Sequence, residues 1–168
     1  MIDRTIYPLE AQRIEAQQKR RMGLGVTGLA NAGEMLGLPY ASEQFMEWAE
    51  MVLQTLRDNA YNTSCDLAKE KGPFPLWNHE DYSNSAFIKT LPEWLQEKIS
   101  VRGMRNSHLL SIAPTGTISL TADNVSSGIE PPFSLYYDRT IQQFDGHQVE
   151  RVEDYAYRQG VAGRTANE

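Results

Sequence analysis

The sequence holds a single cysteine, Cys65, among 168 residues. One cysteine cannot form an internal disulfide, so disulfide stapling is excluded and a cytoplasmic location is the expectation. No apolar run is long enough to span a bilayer, and Met1-Ile2-Asp3-Arg4 has no apolar signal core, so no membrane partner is expected. Positive charge is also in deficit. The 16 Lys and Arg stand against 22 Asp and Glu, a net charge of −6. Sequence-independent nucleic-acid binding needs a basic footprint, and the one short basic run, Lys19-Arg20-Arg21, reads as a solvated helix end. The three histidines, His79, His108 and His147, are isolated, with no paired Cys/His spacing, so no metal site is expected. His79-Glu80-Asp81 reads as solvated loop. Repeats and low-complexity segments are missing too.

What is present suits a packed fold. Apolar residues make up 40% of the chain, enough for a core. Residues 10–20, rich in Glu, Gln, Ala and Arg, predict a short helix. Residues 22–26 read as a short, glycine-interrupted strand, and 27–36 as a helix ended by Gly37, Leu38 and Pro39. Ser42 is a good N-cap for the clearest helix. There Phe45, Trp48, Ala49, Val52, Leu53, Leu56, Ala60 and Leu67 share one face at helical spacing. It runs to about residue 70, before Gly72-Pro73, and would be roughly 40 Å long. Residues 73–83 read as an aromatic, packed loop. Residues 92–99 read as a short helix with proline in its first turn.

Residues 109–113 are nearly all apolar, as in a strand covered on both faces. A short helix over 115–121, an irregular stretch over 123–132 and a strand over 133–143 follow. Asp145-Gly146 is a hairpin turn signal. Residues 149–159 read as helix, and 160–168 as a mobile tail. Helices alternating with buried strands predict an α/β architecture. Only three or four strands are expected, far apart in sequence. The chain therefore reads as a single segment, residues 1–168, of a larger α/β body.

Four features carry candidate chemistry. Pro114-Thr115-Gly116-Thr117-Ile118-Ser119 joins a strand to a helix through hydroxyls and one glycine. Such a turn can offer backbone N–H groups and neutral hydroxyl donors to a phosphate. It is not a Walker motif, because no lysine follows Gly116. The bland alternative is a strand-to-helix connection capped by a threonine. Gly23-Leu24-Gly25-Val26-Thr27-Gly28 matches a dinucleotide fingerprint but lacks the strong preceding strand, so its glycines are assigned to close packing. Glu130 sits in a proline-locked, apolar turn, where a carboxylate needs a partner. Cys65 lies about 160° around its helix from the apolar stripe and reads as an inert, partly covered thiol.

Five blocks in order are similar to the large, catalytic polypeptide of ribonucleotide reductase, over about residues 3–139. They are residues 20–30 (RRMGLGVTGLA), 67–75 (LAKEKGPFP), 104–107 (MRNS), 111–119 (SIAPTGTIS) and 127–133 (SGIEPPF). The Ala-Pro-Thr-Gly-Thr-Ile-Ser form resembles the adenosylcobalamin-dependent, class II branch more than the iron-dependent one. The resemblance implies a helix-rich, partial segment of a ten-stranded α/β barrel built from two five-stranded halves, here its C-terminal part. It implies that Pro114, Thr115, Gly116, Thr117, Ile118 and Ser119 bind the phosphates of a ribonucleoside di- or triphosphate.

The resemblance also sets a limit. The family reduces the ribose with one radical cysteine and two electron-supplying cysteines, and one cysteine cannot fill three roles. No Asn-x-Cys-x-Glu segment exists in the chain, so no catalytic residue is assigned. Adenosylcobalamin is implied as cofactor, mostly bound by residues outside the chain. The expected partner is the polypeptide carrying the catalytic half, or a second copy, because barrel strands without neighbours leave open edges. The chain is not expected to be active alone. A non-catalytic accessory subunit, or self-associating remnant, with weak nucleotide binding is the alternative. It is motivated by a start at a segment edge, without the upstream active-site loop.

Overall fold

The computed structural model describes residues 1–144 and 146–161. A 3-10 turn at Ile2–Arg4 leads to α1 (Glu10–Lys19), α2 (Leu29–Met35), α3 (Glu43–Lys71) and α4 (His79–Ser83). A second 3-10 turn (Ile88–Thr90), α5 (Glu93–Arg102) and α6 (Gly116–Thr121) follow. Strands β1 (Tyr136–Gln143) and β2 (Gly146–Glu153) and helix α7 (Tyr155–Arg158) complete the order. Residues 1–24 and 53–111 form one compact unit; residues 25–52 and the described residues from 112 to 161 form another. No helix of the described residues is long and apolar enough to cross a membrane.

Helix α3 begins as its sequence dictates. The Ser42 hydroxyl accepts from the Phe45 N–H at 3.2 Å, an N-cap. The single apolar stripe expected along the helix does not persist. In the first unit the buried face is Tyr61, Ser64, Cys65 and Ala68, at i, i+3, i+4 and i+7. Leu53, Leu56 and Leu67 are only half-buried. Cys65 is thus fully buried rather than partly covered, packed among Leu95, Ile99 and Met104.

Polar ties select that face. The Ser64 Oγ donates to Asn106 Oδ1 and accepts from the Asn106 N–H, both at 3.2 Å. The Ser64 carbonyl accepts from the Arg105 N–H at 3.1 Å. Asn106 Nδ2 then donates to the Arg20 carbonyl at 2.9 Å. The Arg105 guanidinium donates to the carbonyls of Lys71, Gly72 and Pro73, closing the C-terminal end of α3. Arg20 in turn grips Asp3 through two bonds of 2.7 and 2.8 Å, which hold the Asp3 carboxyl down at about 2.

The two strands expected at 22–26 and 109–113 reduce to one parallel bridge, Leu24 with Leu110. It rests on hydrogen bonds from Met22 to His108, Leu24 to Leu109 and Ser111 to Leu24, at 2.8–3.1 Å. Gly23 lets the segments meet, since a Cβ there would stand 3.2 Å from Ser111 Cβ. Residues 109–113 are not covered on both faces: Leu109 is buried, but Ile112 is 45% exposed. Among the described residues no second neighbour extends this pair into a ladder. Residues 79–83, expected as loop, form α4 because Asn78 Oδ1 accepts from the Glu80 and Asp81 N–H groups.

In the second unit, α2 packs on the start of α3. Gly33 makes this possible, because a Cβ there would stand 2.4 Å from the Phe45 ring. Gly37 ends α2 with φ +76°, as expected. Strands β1 and β2 form an antiparallel hairpin in the register Gln143 to Gly146 through Tyr136 to Glu153. The hairpin signal is borne out, although Asp145 itself lies outside the described residues. The helix expected over 149–159 holds only at Tyr155–Arg158; Val149 and Val152 lie in β2, opposite Thr140 and Tyr137. β-branched residues suit such a ladder. Asp154 ends the strand by capping only α7, its Oδ2 accepting from the Ala156 and Tyr157 N–H groups. The tail expected from residue 160 falls mostly outside the described residues.

One buried node ties this unit together. Asn31 Nδ2 donates to both carboxylate oxygens of Asp154, at 2.8 and 3.0 Å. Asn31 Oδ1 accepts from the Ser126 N–H at 2.6 Å, and the Ser126 carbonyl accepts from the Gly28 N–H at 2.7 Å. All three side chains are buried, with Asn31 at 2% exposure. Asn31→Ala therefore leaves a buried carboxylate short of a donor and should cost about 2–4 kcal/mol in urea unfolding. A loss below half a kcal/mol would contradict this account.

Glu34 also accepts from Asn31 Nδ2, at 3.1 Å. Burial first, and Asp154 second, raise its carboxyl above the ordinary 4.5. Its folded value exceeds its unfolded one, so its favourable contribution holds below 4.5 and is lost as pH rises through the folded value. Glu34→Gln should therefore raise the melting temperature at pH 7 and change it less at pH 4. Equal effects at both values would contradict the assignment.

Candidate functional site

Helix α6 opens at Thr115, which adopts the left-handed conformation (φ +39°, ψ +21°) without a side-chain cap. The threonine cap expected there does not form. Thr115 Oγ1 instead accepts from the Gly128 N–H at 2.7 Å. The first hydrogen bond of the helix runs from the Ser119 N–H to the Thr115 carbonyl, at 2.8 Å. The N–H groups of Gly116, Thr117 and Ile118 have no acceptor among the described residues. Three orphan donors thus point out of the start of the helix, as its geometry requires.

The other expected site residues surround this opening unequally. A Cβ on Gly116 would meet nothing within 4 Å, so the backbone stands open. Pro114, Thr117 and Ile118 are exposed. Ser119 is buried at 3% exposure, and its hydroxyl donates to the Gly116 carbonyl at 3.0 Å. Its hydroxyl hydrogen is therefore engaged inside the turn, whereas the Thr117 hydroxyl makes no bond among the described residues.

The segment 123–130 forms the opposite wall. Asp123 and Asn124 are left-handed (φ +65° and +57°), a conformation these residues tolerate best after glycine. Asn124 Nδ2 donates to the Glu153 carbonyl at 2.9 Å. Gly128 (φ +51°) packs on the backbone before the turn, where a Cβ would stand 2.8 Å from the Ala113 oxygen. Between the walls lies an open cleft of about 170 Å³ that includes Gly116, Ser119, Ser127, Glu130 and Tyr137. Glu130, expected to need a partner in an apolar turn, is exposed at this cleft instead. The wall and the Thr115 latch were not visible in the sequence, since they depend on a contact 13 residues apart.

The remaining candidates do not join this site. Gly28, from the glycine-rich stretch, takes φ +75° beside Val125 and starts α2, so close packing accounts for it. His79 on α4, His108 in the loop after α5 and His147 on β2 are all exposed. No three His, Cys, Asp or Glu side chains come together as metal ligands among the described residues. Burial pushes the Cys65 thiol up to about 11. The folded protein should therefore react with a thiol-specific reagent at pH 8 at least about a hundredfold more slowly than after denaturation. Comparable rates would contradict the burial.

The chain matches the family model for the ribonucleotide reductase barrel domain over residues 1–162. It is 36% identical over 141 residues to a vitamin B12-dependent ribonucleoside-diphosphate reductase of Mycobacterium tuberculosis, covering 84% of this chain and 18% of that protein. It is 38% identical over 141 residues to the protein of the same description from Thermoplasma acidophilum, covering 84% and 16%. It is 27% identical over 143 residues to a ribonucleoside-diphosphate reductase subunit alpha of Treponema pallidum, covering 82% and 17%. The chain thus spans less than a fifth of the length of these relatives. With the match covering nearly its whole length, the chain belongs to the ribonucleotide reductase barrel-domain family.

Proposed function

We propose that this chain supplies the substrate-phosphate turn of a ribonucleotide reductase, with the reducing chemistry carried by residues it does not contain. The observation that carries this reading is the unpaired N–H triplet of Gly116, Thr117 and Ile118, set beside a glycine with open space over it. Orphan N–H groups at a helix start carry partial positive charge and suit an anion without a charged side chain. Pro114 fixes the entry to the turn, and Thr117 adds a free hydroxyl. Thr115 and Ser119 shape the turn from within. Their role would be to hold the diphosphate so that the ribose is placed for reaction. The names of the relatives favour a ribonucleoside diphosphate over a triphosphate.

Two relatives carry vitamin B12 dependence in their names, which supports an adenosylcobalamin-dependent, class II setting. The cleft beside α6, at about 170 Å³, does not fit that group: it is smaller than the roughly 300–1,000 Å³ of ordinary small-molecule pockets. No step is therefore assigned through the cofactor on this chain. The buried Cys65, with its raised thiol, supports a chain that is inactive alone. The exposed apolar residues Leu24, Ile112 and Ile118 support a partner polypeptide, or a second copy, as their cover.

The test mixes the chain with a polypeptide carrying the missing cysteines, adenosylcobalamin and a dithiol, and measures deoxyribonucleotide formation. Activity that needs both polypeptides is expected; none under any mixing ratio would contradict the reading. Gly116→Ala isolates the turn. Because the added Cβ meets no protein atom, stability should hold or rise by up to about 1 kcal/mol. Diphosphate affinity should nonetheless fall about tenfold, the size of one lost or lengthened hydrogen bond. Unchanged affinity would count against the phosphate role.

A further inference from the structure

We infer that β1 is a pairing edge for a second copy of this chain, joined antiparallel about a two-fold axis at Thr140. The inference is independent of the phosphate reading. It names one surface and one occupant where that reading leaves the partner open.

The edge follows from the register of the hairpin. Gln143 and Gly146 are partners with two residues between them. So close a pair can only exchange its own backbone bonds. Bonded pairs then alternate along the hairpin, and the Asp154 N–H donating to the Leu135 carbonyl at 2.9 Å continues that alternation. Asp138, Thr140 and Gln142 fall between bonded pairs. Their N–H and C=O groups therefore point away from β2, and none has a partner among the described residues. A row of such groups is a template for another strand. The hairpin also needs one. Two strands alone are marginal in water, and this pair buries little of itself. Every residue from Tyr136 to Thr140 is exposed, and so is Phe144 at the turn.

The side chains select a second copy as the occupant. Pairing about Thr140 sets that residue against its own counterpart, a threonine pair of the kind that suits a sheet. Asp138 then lies opposite Gln142 of the second copy, whose amide can donate to the carboxylate. Arg139 lies opposite Ile141. No like charges stand directly opposite one another. An axis at Asp138 would oppose two carboxylates, and an axis at Gln142 would run the strand past its turn.

β2 is the poorer edge. Its outward residues are His147, Val149, Arg151 and Glu153. The Glu153 carbonyl already accepts from Asn124 Nδ2 at 2.9 Å. Arg151 is held over the Tyr136 ring at 3.9 Å and pairs with Glu153 at 3.3 Å. Charged side chains along an edge discourage pairing, and an axis at Val149 would set Arg151 against His147. Joining β1 of one copy to β2 of the next would leave a free edge at each end and grow without closing. Joining β1 to β1 closes.

The test uses the whole chain. Sedimentation velocity over a series from micromolar to millimolar should show a reversible dimer, since so small an interface belongs to the weak class. Thr140→Pro removes an outward N–H that the hairpin does not use. It should weaken association at least about tenfold, the worth of one or two hydrogen bonds. Val149→Pro makes the same change on β2 and should leave association as it was. Thr140→Cys probes the axis without a proline. Opposed residues of a bonded pair have Cα atoms about 5.5 Å apart, within disulfide reach. Oxidised glutathione should therefore convert Thr140→Cys, and not Val149→Cys, into a covalent dimer. Cys65 is buried and takes no part.

A chain that stays monomeric throughout the series overturns the inference. A dimer that survives Thr140→Pro, with no cross-link in Thr140→Cys, places the contact elsewhere. Equal weakening by Val149→Pro, or cross-linking of Val149→Cys, removes the choice of β1. Species larger than the dimer that need both strands remove the two-fold axis. If Thr140→Pro loses protection of the Ile141 amide, which bonds within the hairpin, the cross-linking result decides alone.

Discussion

The second unit depends on the Asn31 side chain. A primary amide has two donor hydrogens and one acceptor oxygen, and here each end is spent on a different stretch of chain. The donor end meets the Asp154 carboxylate at the start of α7, and the acceptor end meets the Ser126 backbone. Buried polar groups raise the cost of every alternative arrangement, because a missing partner is not replaced by water. Gly128, two residues after Ser126, donates its N–H to Thr115 Oγ1 at the start of α6.

The first unit uses the same device with a different amide. Asn106 joins the Ser64 hydroxyl to the Arg20 carbonyl, and Arg105 beside it closes the end of α3. Three of the blocks that carry the family resemblance meet at this point: residues 20–30, 67–75 and 104–107. In the second unit, the blocks at 111–119 and 127–133 meet at the Thr115–Gly128 bond. The blocks are therefore more than a signature. They are the segments whose polar groups satisfy one another in the interior.

Much of this was legible in the sequence where a local rule decides the outcome. Ser42, Gly37 and Pro92 mark helix ends that the structure keeps. The hairpin followed from its turn signal, and the α6 turn from its glycine and hydroxyls. What escaped depended on contacts distant in sequence. The buried face of α3 in the first unit carries Tyr61, Ser64, Cys65 and Ala68, with no leucine among them, so a stripe read from the leucines pointed elsewhere. β2 carried enough helix-compatible spacing to mislead until pairing with β1 decided it. The parallel pair at Leu24 and Leu110 stayed a single bridge, because apolar residues make a ladder only where neighbouring strands exist.

The proposed function follows from the same placement of polar groups. This chain builds an opening with unpaired donors and no charged side chain among the six residues of its turn. Its one thiol, Cys65, is a buried core residue. On the proposed reading, this chain holds the phosphates and residues outside it reduce the sugar. The most direct test is residue-resolved titration of the backbone amides with a ribonucleoside diphosphate and, separately, with the matching nucleoside. The account predicts saturable shifts centred on Gly116, Thr117 and Ile118 with the diphosphate and none with the nucleoside. Shifts that are equal for both ligands, or absent from these three amides, would contradict it.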